Sequence, residues 1–481
     1  MAVTLMCEVQ WLAHASVARA AEAFYGSQIG AGALINIDSL ALLYMLVYLA
    51  LSLPASRWID RRGLRSGVGL GALLTAAGAL VKAVGGASFA MQLAGQLILA
   101  CAQPFLINAT TALTARWFPL GERGLATGLG SLAQYLGFIV ALAVTPRLVQ
   151  VDPTAAGYGD GMGAALWVYG IASIAAAAAA LLWVRDVPLW RPEAAAAAPR
   201  WRDLFADKDL RRTLLLFMIG LGVMNALTSL TDAVAGSIGA KDSDGLIGVA
   251  MIAGGVLGAL VLPILSDRFR RRKPFLVLCA ALMLPSLAGL ALVKQLNPYA
   301  YAWTTLAAPD GAQLALKRDI PHPTLRAPAA GRYEFALVLS RRSDGAVVEN
   351  RTLAVDIAAP GQTQLLDGTP TDDGVIAAIY AAALAAAFVF GFAVMSAGPL
   401  GFQYAAEVAY PAPEAAAQGA LLLVGQVSGI AFTAAMSIDA NRYLDATLWL
   451  FTGLAVVMLV LALRLGESPL ILGVDPPAEK R

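Results

Sequence analysis

The chain has 481 residues, 59% of them hydrophobic and only 14% charged, with a formal net charge of +2. Soluble domains are nearer half apolar and a quarter charged, so this composition belongs to a polytopic membrane protein and not to a soluble domain. The near-neutral charge gives no support to a nucleic-acid partner, and Cys7, Cys101 and Cys279 fall inside apolar runs at spacings that suggest neither disulfides nor a metal site.

A helix needs about 20 apolar residues to cross the hydrocarbon core. Twelve such runs begin near Ala2, Ser39, Ser66, Ala90, Gly124, Gly163, Thr213, Gly245, Phe275, Val375, Ala416 and Ala446. Abundant Gly and Ala suit close helix packing in a bilayer. The first run contains Glu8, Gln10, His14 and Arg19, unlike the apolar stretch of a signal peptide. No basic residue precedes it, and the expectation is a true start slightly upstream of Met1.

Orientation follows from Lys and Arg in the short loops. Loop 2–3 holds Arg57, Arg61, Arg62 and Arg65, and loop 4–5 holds Arg116 and Arg123. Loop 6–7 holds Arg185, Arg191, Arg200, Arg202, Lys208, Arg211 and Arg212, and loop 8–9 runs from Arg268 to Lys273 with four basic residues beside Arg268. Short loops on the opposite side hold little beyond Arg147, Lys241 and Arg442. Both termini are therefore expected in the cytoplasm, with the protein in the cytoplasmic (inner) membrane.

One loop breaks the pattern. Residues 295–373, between spans 9 and 10, are polar. Tyr333–Leu339 alternates, Ser343-Asp344-Gly345 turns, and Val347–Ile357 continues in β-friendly residues, which predicts a hairpin in a small β-rich extracytoplasmic insert. A decorative insert and a lid or partner-docking element are both open readings of it.

The chain also repeats itself. Asp60-Arg61-Arg62-Gly63-Leu64-Arg65 after span 2 is matched by Asp267-Arg268-Phe269-Arg270-Arg271-Arg272 after span 8. Phe118-Pro119-Leu120-Gly121-Glu122 after span 4 is matched by Tyr410-Pro411-Ala412-Pro413-Glu414 after span 10. The second pair is farther apart than the first by about the length of the insert, so one parallel repeat interrupted once explains both. Two parallel six-helix halves around a midplane site describe the major facilitator fold. The expected class is thus all-α, with twelve transmembrane helices. The expected division is residues 1–184 for the first half, 185–212 for a linker, 213–294 and 374–466 for the second half around the insert, and 467–481 for a tail.

The loop after span 2 resembles the signature loop of the major facilitator superfamily. That resemblance implies that Asp60, and by the repeat Asp267, faces a helix N-terminus of the other half and helps to shut a cytoplasmic gate. A helix N-terminus favours a carboxylate. Arg61, Arg65 and Arg268 belong to the same gate, the alternative being that these charges only set topology. A narrower similarity is carried by "GFQYAAEVAYPAPE" (Gly401–Glu414), "FYG…INIDSLALLYMLVY" (Phe24–Tyr48), "GLR" (Gly63–Arg65) and "GQVSGI" (Gly425–Ile430). These stretches resemble the feline leukaemia virus subgroup C receptor family, which implies transport of choline or ethanolamine, with haem export also proposed for that family. Glu407 matches that family's glutamate at the end of span 10 and is expected to pair with Arg268 or Arg123. Pro411 and Pro413 end the span.

Candidate substrate contacts begin on span 1. On a continuous helix Cys7, Gln10, Trp11 and His14 share one arc of about 100°, and a polar stripe in a span is expected to face the bundle interior. The Gln10-Trp11 pair matches the family, where the tryptophan face meets a quaternary ammonium; packing is the other reading. Gln134 and Gln426 occupy equivalent places in the repeat and are candidates for one cavity, or for interhelical bonds. Gln426 matches a substrate-contacting glutamine of that family, and Tyr135 stands where its second amide would be. Span 7 lacks the second cage aromatic and offers Asn225, Thr228 and Asp232 instead, which puts choline itself in doubt.

Glu8, Asp232 and His14 are candidates for proton or cation coupling. His14 as a haem ligand rests on one histidine alone. Arg19 and Lys82 are the basic residues an anionic cargo would need. No phosphate-binding loop, cofactor or metal is expected. The expected function is a secondary transporter of a small organic cation acting as a monomer, with haem or another organic solute as the rival cargo. A receptor that senses through the insert is the rival of another class.

Overall fold

The computed structural model describes residues 1–29, 37–150, 159–186, 207–238, 246–309, 319, 321, 323–357, 363–370, 374–410, 414–437 and 440–471. Eleven of its helices are long and apolar enough to cross a membrane, and the chain is a multi-pass membrane protein. The first run is the exception. It forms a helix α1 (Ala2–Leu12), a turn and a short 3-10 segment (Ala15–Val17), then α2 (Ala18–Tyr25). The single continuous helix assumed for this run is therefore broken just after Trp11.

The first half continues with α3 (Ile37–Arg62), α4 (Leu64–Val84), α5 (Phe89–Ile107) and its short extension α6 (Ala109–Trp117), α7 (Arg123–Leu148) and α8 (Met162–Trp183). The second half holds α9 (Lys208–Ile238), α10 (Leu246–Phe269), α11 (Lys273–Gln295), α12 (Gly374–Val408), α13 (Glu414–Ser437) and α14 (Ala440–Leu463). Each half has its own buried apolar core.

The internal repeat is visible in the packing. Within the first half α1 packs on α7, and within the second α9 packs on α13. Across the halves α7 meets α10, and α13 meets α3. These contacts exchange under the two-fold that relates the repeats, as parallel repeats require.

The insert lies between α11 and α12. Strands β1 (Tyr299–Ala307), β3 (Gly331–Arg341) and β4 (Val347–Ile357) form an antiparallel sheet in the order β1-β3-β4, and β2 (Thr324–Arg326) pairs with β5 (Thr363–Leu365). Tyr333, Phe335, Leu337 and Leu339 alternate into a core with Tyr301 and Trp303. The expected hairpin is β3–β4, turning at Gly345 with φ +71°. Strand β1 was not foreseen, although its Tyr-x-Tyr-x-Trp alternation is the same signal.

Candidate functional site

The break in the first span is stabilised from behind. A helix end leaves its last carbonyls without intrahelical donors. Lys82 of α4, fully buried, donates to the Gln10 carbonyl at 3.0 Å and to Gln96 Oε1 at 2.8 Å. Gln96 of α5 donates in turn to the Trp11 carbonyl at 3.3 Å and the Leu40 carbonyl at 3.2 Å. The buried ammonium and its amide thus hold the C-terminal end of α1. Lys82 stands in the last turn of α4, toward the end of its span, and does not line the cavity described next. The side chains of Arg19 and Asp232 lie outside the described residues.

A cavity of about 150 Å³ sits between the halves. Glu8, Trp11, Tyr48, Gln103, Ser131, Gln134, Tyr135 and Phe138 line it from the first half, and Asn225 and Gln426 from the second, among mostly apolar neighbours such as Met224 and Phe402. Trp11 stacks on Tyr44 at 5.6 Å between ring centroids and meets Phe138 edge-on at 5.7 Å. Tyr135 stands 6.4 Å from Phe138 and donates to the Met395 carbonyl of the other half at 3.3 Å.

Helix α7 approaches α1 closely because residue 137 is glycine. A Cβ there would stand 2.7 Å from Glu8 Cβ and from the Leu5 carbonyl oxygen. Glu8 is 1% exposed, and Gln103 Nε2 donates to both of its carboxylate oxygens at 3.3 Å. Among the described residues that line the cavity, Glu8 is the one carboxylate, and there is no Lys, Arg or His.

The structure therefore brings six expected residues to one cavity: Glu8, Trp11, Gln134, Tyr135, Asn225 and Gln426. Two others are corrected. Gln10 turns away from the cavity, and its Nε2 donates to Ser173 of α8 at 3.4 Å. His14 lies beyond the break, buried, with its ring 6.0 Å from Tyr25 and outside the lining. For His14 the cause is the break, because the helical arc that grouped it with Trp11 ends at Leu12. Gln10 precedes the break and stands about 100° from Trp11 and about 160° from Glu8, off the side of α1 that lines the cavity. Thr228 donates back to the Met224 carbonyl and does not line the cavity. Tyr48, Gln103, Ser131 and Phe138 were missed. Gln103 carried a usable signal, an amide within an apolar span. Phe138 follows Tyr135 at helical i+3 spacing.

On the face that carries the basic loops, the halves are fastened together. Helix α10 ends at Phe269, and Arg270 turns the chain with φ +50°. Arg272 is thereby brought back beneath Asp267. Its guanidinium, fully buried, lies 2.5 Å from Asp267 Oδ1 and 3.0 Å from Glu407 Oε1, and donates to Ser266 Oγ at 3.0 Å. Burial alone would lower the pKa of Arg272, but the Glu407 and Asp267 carboxylates outweigh it and raise the value above its ordinary level. Asp267 also accepts from the Gly124 and Leu125 backbone N–H groups at 3.2 and 2.8 Å, at the N-terminus of α7 in the other half. A Cβ at Gly124 would stand 2.6 Å from Asp267 Oδ1. Glu467 caps α11 by accepting from the Arg272 and Lys273 N–H groups at 2.7 and 3.0 Å.

Here too one expectation is corrected. Glu407 pairs with Arg272, whereas Arg268 is exposed and Arg123 donates to the Phe118 and Ala115 carbonyls. The repeat-related loop is built differently. Asp60 is half-buried and its Oδ2 has no hydrogen-bond partner, while Arg61 and Arg65 are exposed. On that side the halves meet through Ser52 donating to the Gly419 carbonyl at 3.1 Å, and Thr111 N–H donating to Gln418 Oε1 at 3.0 Å.

Comparison with known proteins gives a consistent picture. Residues 13–311 match the family model described as Major Facilitator Superfamily. A solute carrier family 49 member A3 from Danio rerio is 27% identical over 276 residues, covering 54% of this chain and 57% of that protein. A protein from Felis catus named choline/ethanolamine transporter FLVCR1 is 26% identical over 278 residues, covering 54% of this chain and 48% of that protein. The chain thus spans about half the length of the curated relatives it matches. Among solved structures, the proton:xylose symporter XylE bound to 6-bromo-6-deoxy-D-glucose aligns with TM-score 0.65 at 12% identity, covering 97% of this chain and 94% of that one, a likeness of fold.

Proposed function

The chain belongs to the Major Facilitator Superfamily, and from that premise we propose that it transports a small organic cation of the choline or ethanolamine kind by alternating access. The observation that carries the reading is the cavity. Trp11, Tyr48, Tyr135 and Phe138 supply aromatic surface from one half, and Glu8 supplies the one carboxylate among its described lining residues. A cation against aromatic faces gains about 0.5–2 kcal/mol, the more as water is excluded. The carboxylate supplies the counter-charge. The name of the Felis catus relative supports the same class of cargo.

A haem cargo is less well supported. The cavity, about 150 Å³, falls below the roughly 300–1,000 Å³ of pockets for drug-sized ligands, and His14 does not line it. In the proposed cycle Asp267, Arg272 and Glu407 form the cytoplasmic gate, which closes against the N-terminus of α7. Asp60, Arg61 and Arg65 form the weaker half of that gate. Glu8 and Asp232 are the proposed coupling groups.

The test is uptake of radiolabelled choline and ethanolamine into proteoliposomes, wild type beside Trp11→Ala. Saturable uptake that is lost or needs far higher substrate in the variant supports the reading. A folded wild type that takes up neither compound refutes it.

A further inference from the structure

The cavity wall carries polar groups that the protein itself leaves unpaired. Several of its donors are engaged within the protein. Tyr48 donates to Asn108 Oδ1, Tyr135 to the Met395 carbonyl, Thr213 to the Asp209 carbonyl, and the Gln103 amide to Glu8. Three groups are left with acceptor capacity to spare. Ser131 Oγ, a hydroxyl that can accept or donate, and Gln426 Oε1 are buried lining atoms without a hydrogen-bond partner. The Glu8 carboxylate receives only the two long Gln103 contacts of 3.3 Å, against a capacity of about four acceptor sites. Buried polar atoms are expected to be paired, so such a cavity suits a ligand that brings N–H or O–H donors.

We propose that Glu8, Ser131 and Gln426 make this cavity selective for ammonium ions that carry N–H groups, and that it disfavours quaternary ammonium ions such as choline. The inference rests on the organic-cation reading and narrows it. A primary ammonium has three donors, and it can satisfy Glu8 while its carbon frame lies against Trp11 and Phe138. A trimethylammonium has none. It satisfies the aromatic faces but offers no N–H to Glu8 and separates the Glu8 charge from the cation by a shell of methyl groups, and the single hydroxyl of choline can pair one acceptor at most. Sites built to hydrogen-bond a ligand reject the analogue lacking the donor more strongly than apolar pockets reject an added methyl, because the buried acceptor is left orphaned. The comparison is made at one ligand charge, since simple alkylammonium ions, like Lys, remain charged at neutral pH.

The experiment is equilibrium binding to the purified full chain at neutral pH, with ethanolamine, N-methylethanolamine, N,N-dimethylethanolamine and choline. This series removes one donor at a time at constant charge. Wild type is expected to weaken with each methyl group, by about tenfold or more from the first compound to the last. Glu8→Gln is expected to flatten the series, because it weakens the donor-bearing members most. The wild-type series stands without the variant, so a misfolded Glu8→Gln does not spoil the test. Choline binding as tightly as ethanolamine would overturn the proposal and leave the organic-cation reading intact. An equal loss for all four ligands in Glu8→Gln would also overturn it, because the carboxylate would then contribute charge alone. Failure of all four to bind wild type would overturn both.

Discussion

Arg272→Met is the sharpest test of how the halves are fastened. The side chain is fully buried, and its removal leaves Asp267 and Glu407, with side-chain exposures of 6% and 1%, without their shared cation. Breaking a buried ion pair by deleting one partner costs about 3–5 kcal/mol, because the survivor is an uncompensated charge. Here two survivors face each other, so the upper part of that range is expected. Asp267 keeps its two backbone donors on α7 and Glu407 keeps Gln403 at 2.9 Å, which prevents a larger loss. The double variant Arg272→Met/Glu407→Leu removes one orphan as well. It should be more stable than the sum of the single changes by roughly 1–3 kcal/mol, the coupling expected of residues in one network. Equilibrium unfolding in mixed micelles, followed by tryptophan fluorescence, measures all three differences. An Arg272→Met protein within about 0.5 kcal/mol of wild type, or a fully additive double variant, would refute the reasoning, because surface-like behaviour is what a solvated pair would give.

Other outcomes follow from the same geometry. Gly124→Ala places a Cβ 2.6 Å from Asp267 Oδ1; an overpacking cost of about 1–3 kcal/mol should loosen the latch, and a cysteine introduced beneath it should label faster than in wild type. Lys82→Met keeps the volume but removes the donor to the Gln10 carbonyl and Gln96. A loss of about 1–3 kcal/mol per orphaned acceptor is expected, read as lower thermal stability, and an unchanged melting point would show that the ammonium does not hold the end of α1. Phe335→Ala should cost the insert about 3–5 kcal/mol while saturable uptake persists; loss of uptake with an intact helical bundle would favour a sensing or gating role for the insert.

The fold was largely legible because its signals are coarse. Eleven apolar runs of sufficient length and a repeated Asp-basic loop need only hydropathy and spacing to be read, and the β3–β4 hairpin needs only alternation and a Gly turn. The site was legible where a residue's own type carried the information. Glu8, Trp11, Gln134 and Gln426 stood out as polar or aromatic groups in apolar spans, and all four line the cavity. Tertiary arrangement was the hidden part. A break at Ala13 cannot be read from helical periodicity, and it moved His14 out of the site, whereas Gln10 faces away because the cavity side of α1 is the one that carries Glu8 and Trp11. Arg272 was one arginine among several in a loop, and only the turn at Arg270 decides that it, and not Arg268, is buried.

Helix α7 connects the two features on which the proposed cycle depends. Its N-terminal N–H groups at Gly124 and Leu125 are held by Asp267 of the other half. Farther along, Ser131, Gln134, Tyr135 and Phe138 line the cavity, and Gly137 lies against Glu8. A rigid helix transmits displacement along its length, so a ligand that draws Glu8 or Tyr135 inward acts on the element whose end is latched. The same helix bonds to α12 twice over, through Tyr135 to the Met395 carbonyl and through Thr127 to Gln403, which in turn donates to Glu407. Cavity and latch are therefore joined by one helix and a short chain of polar contacts. That contiguity supplies a physical route for occupancy of the cavity to bias the gate, provided the latch has two arrangements whose balance both can shift.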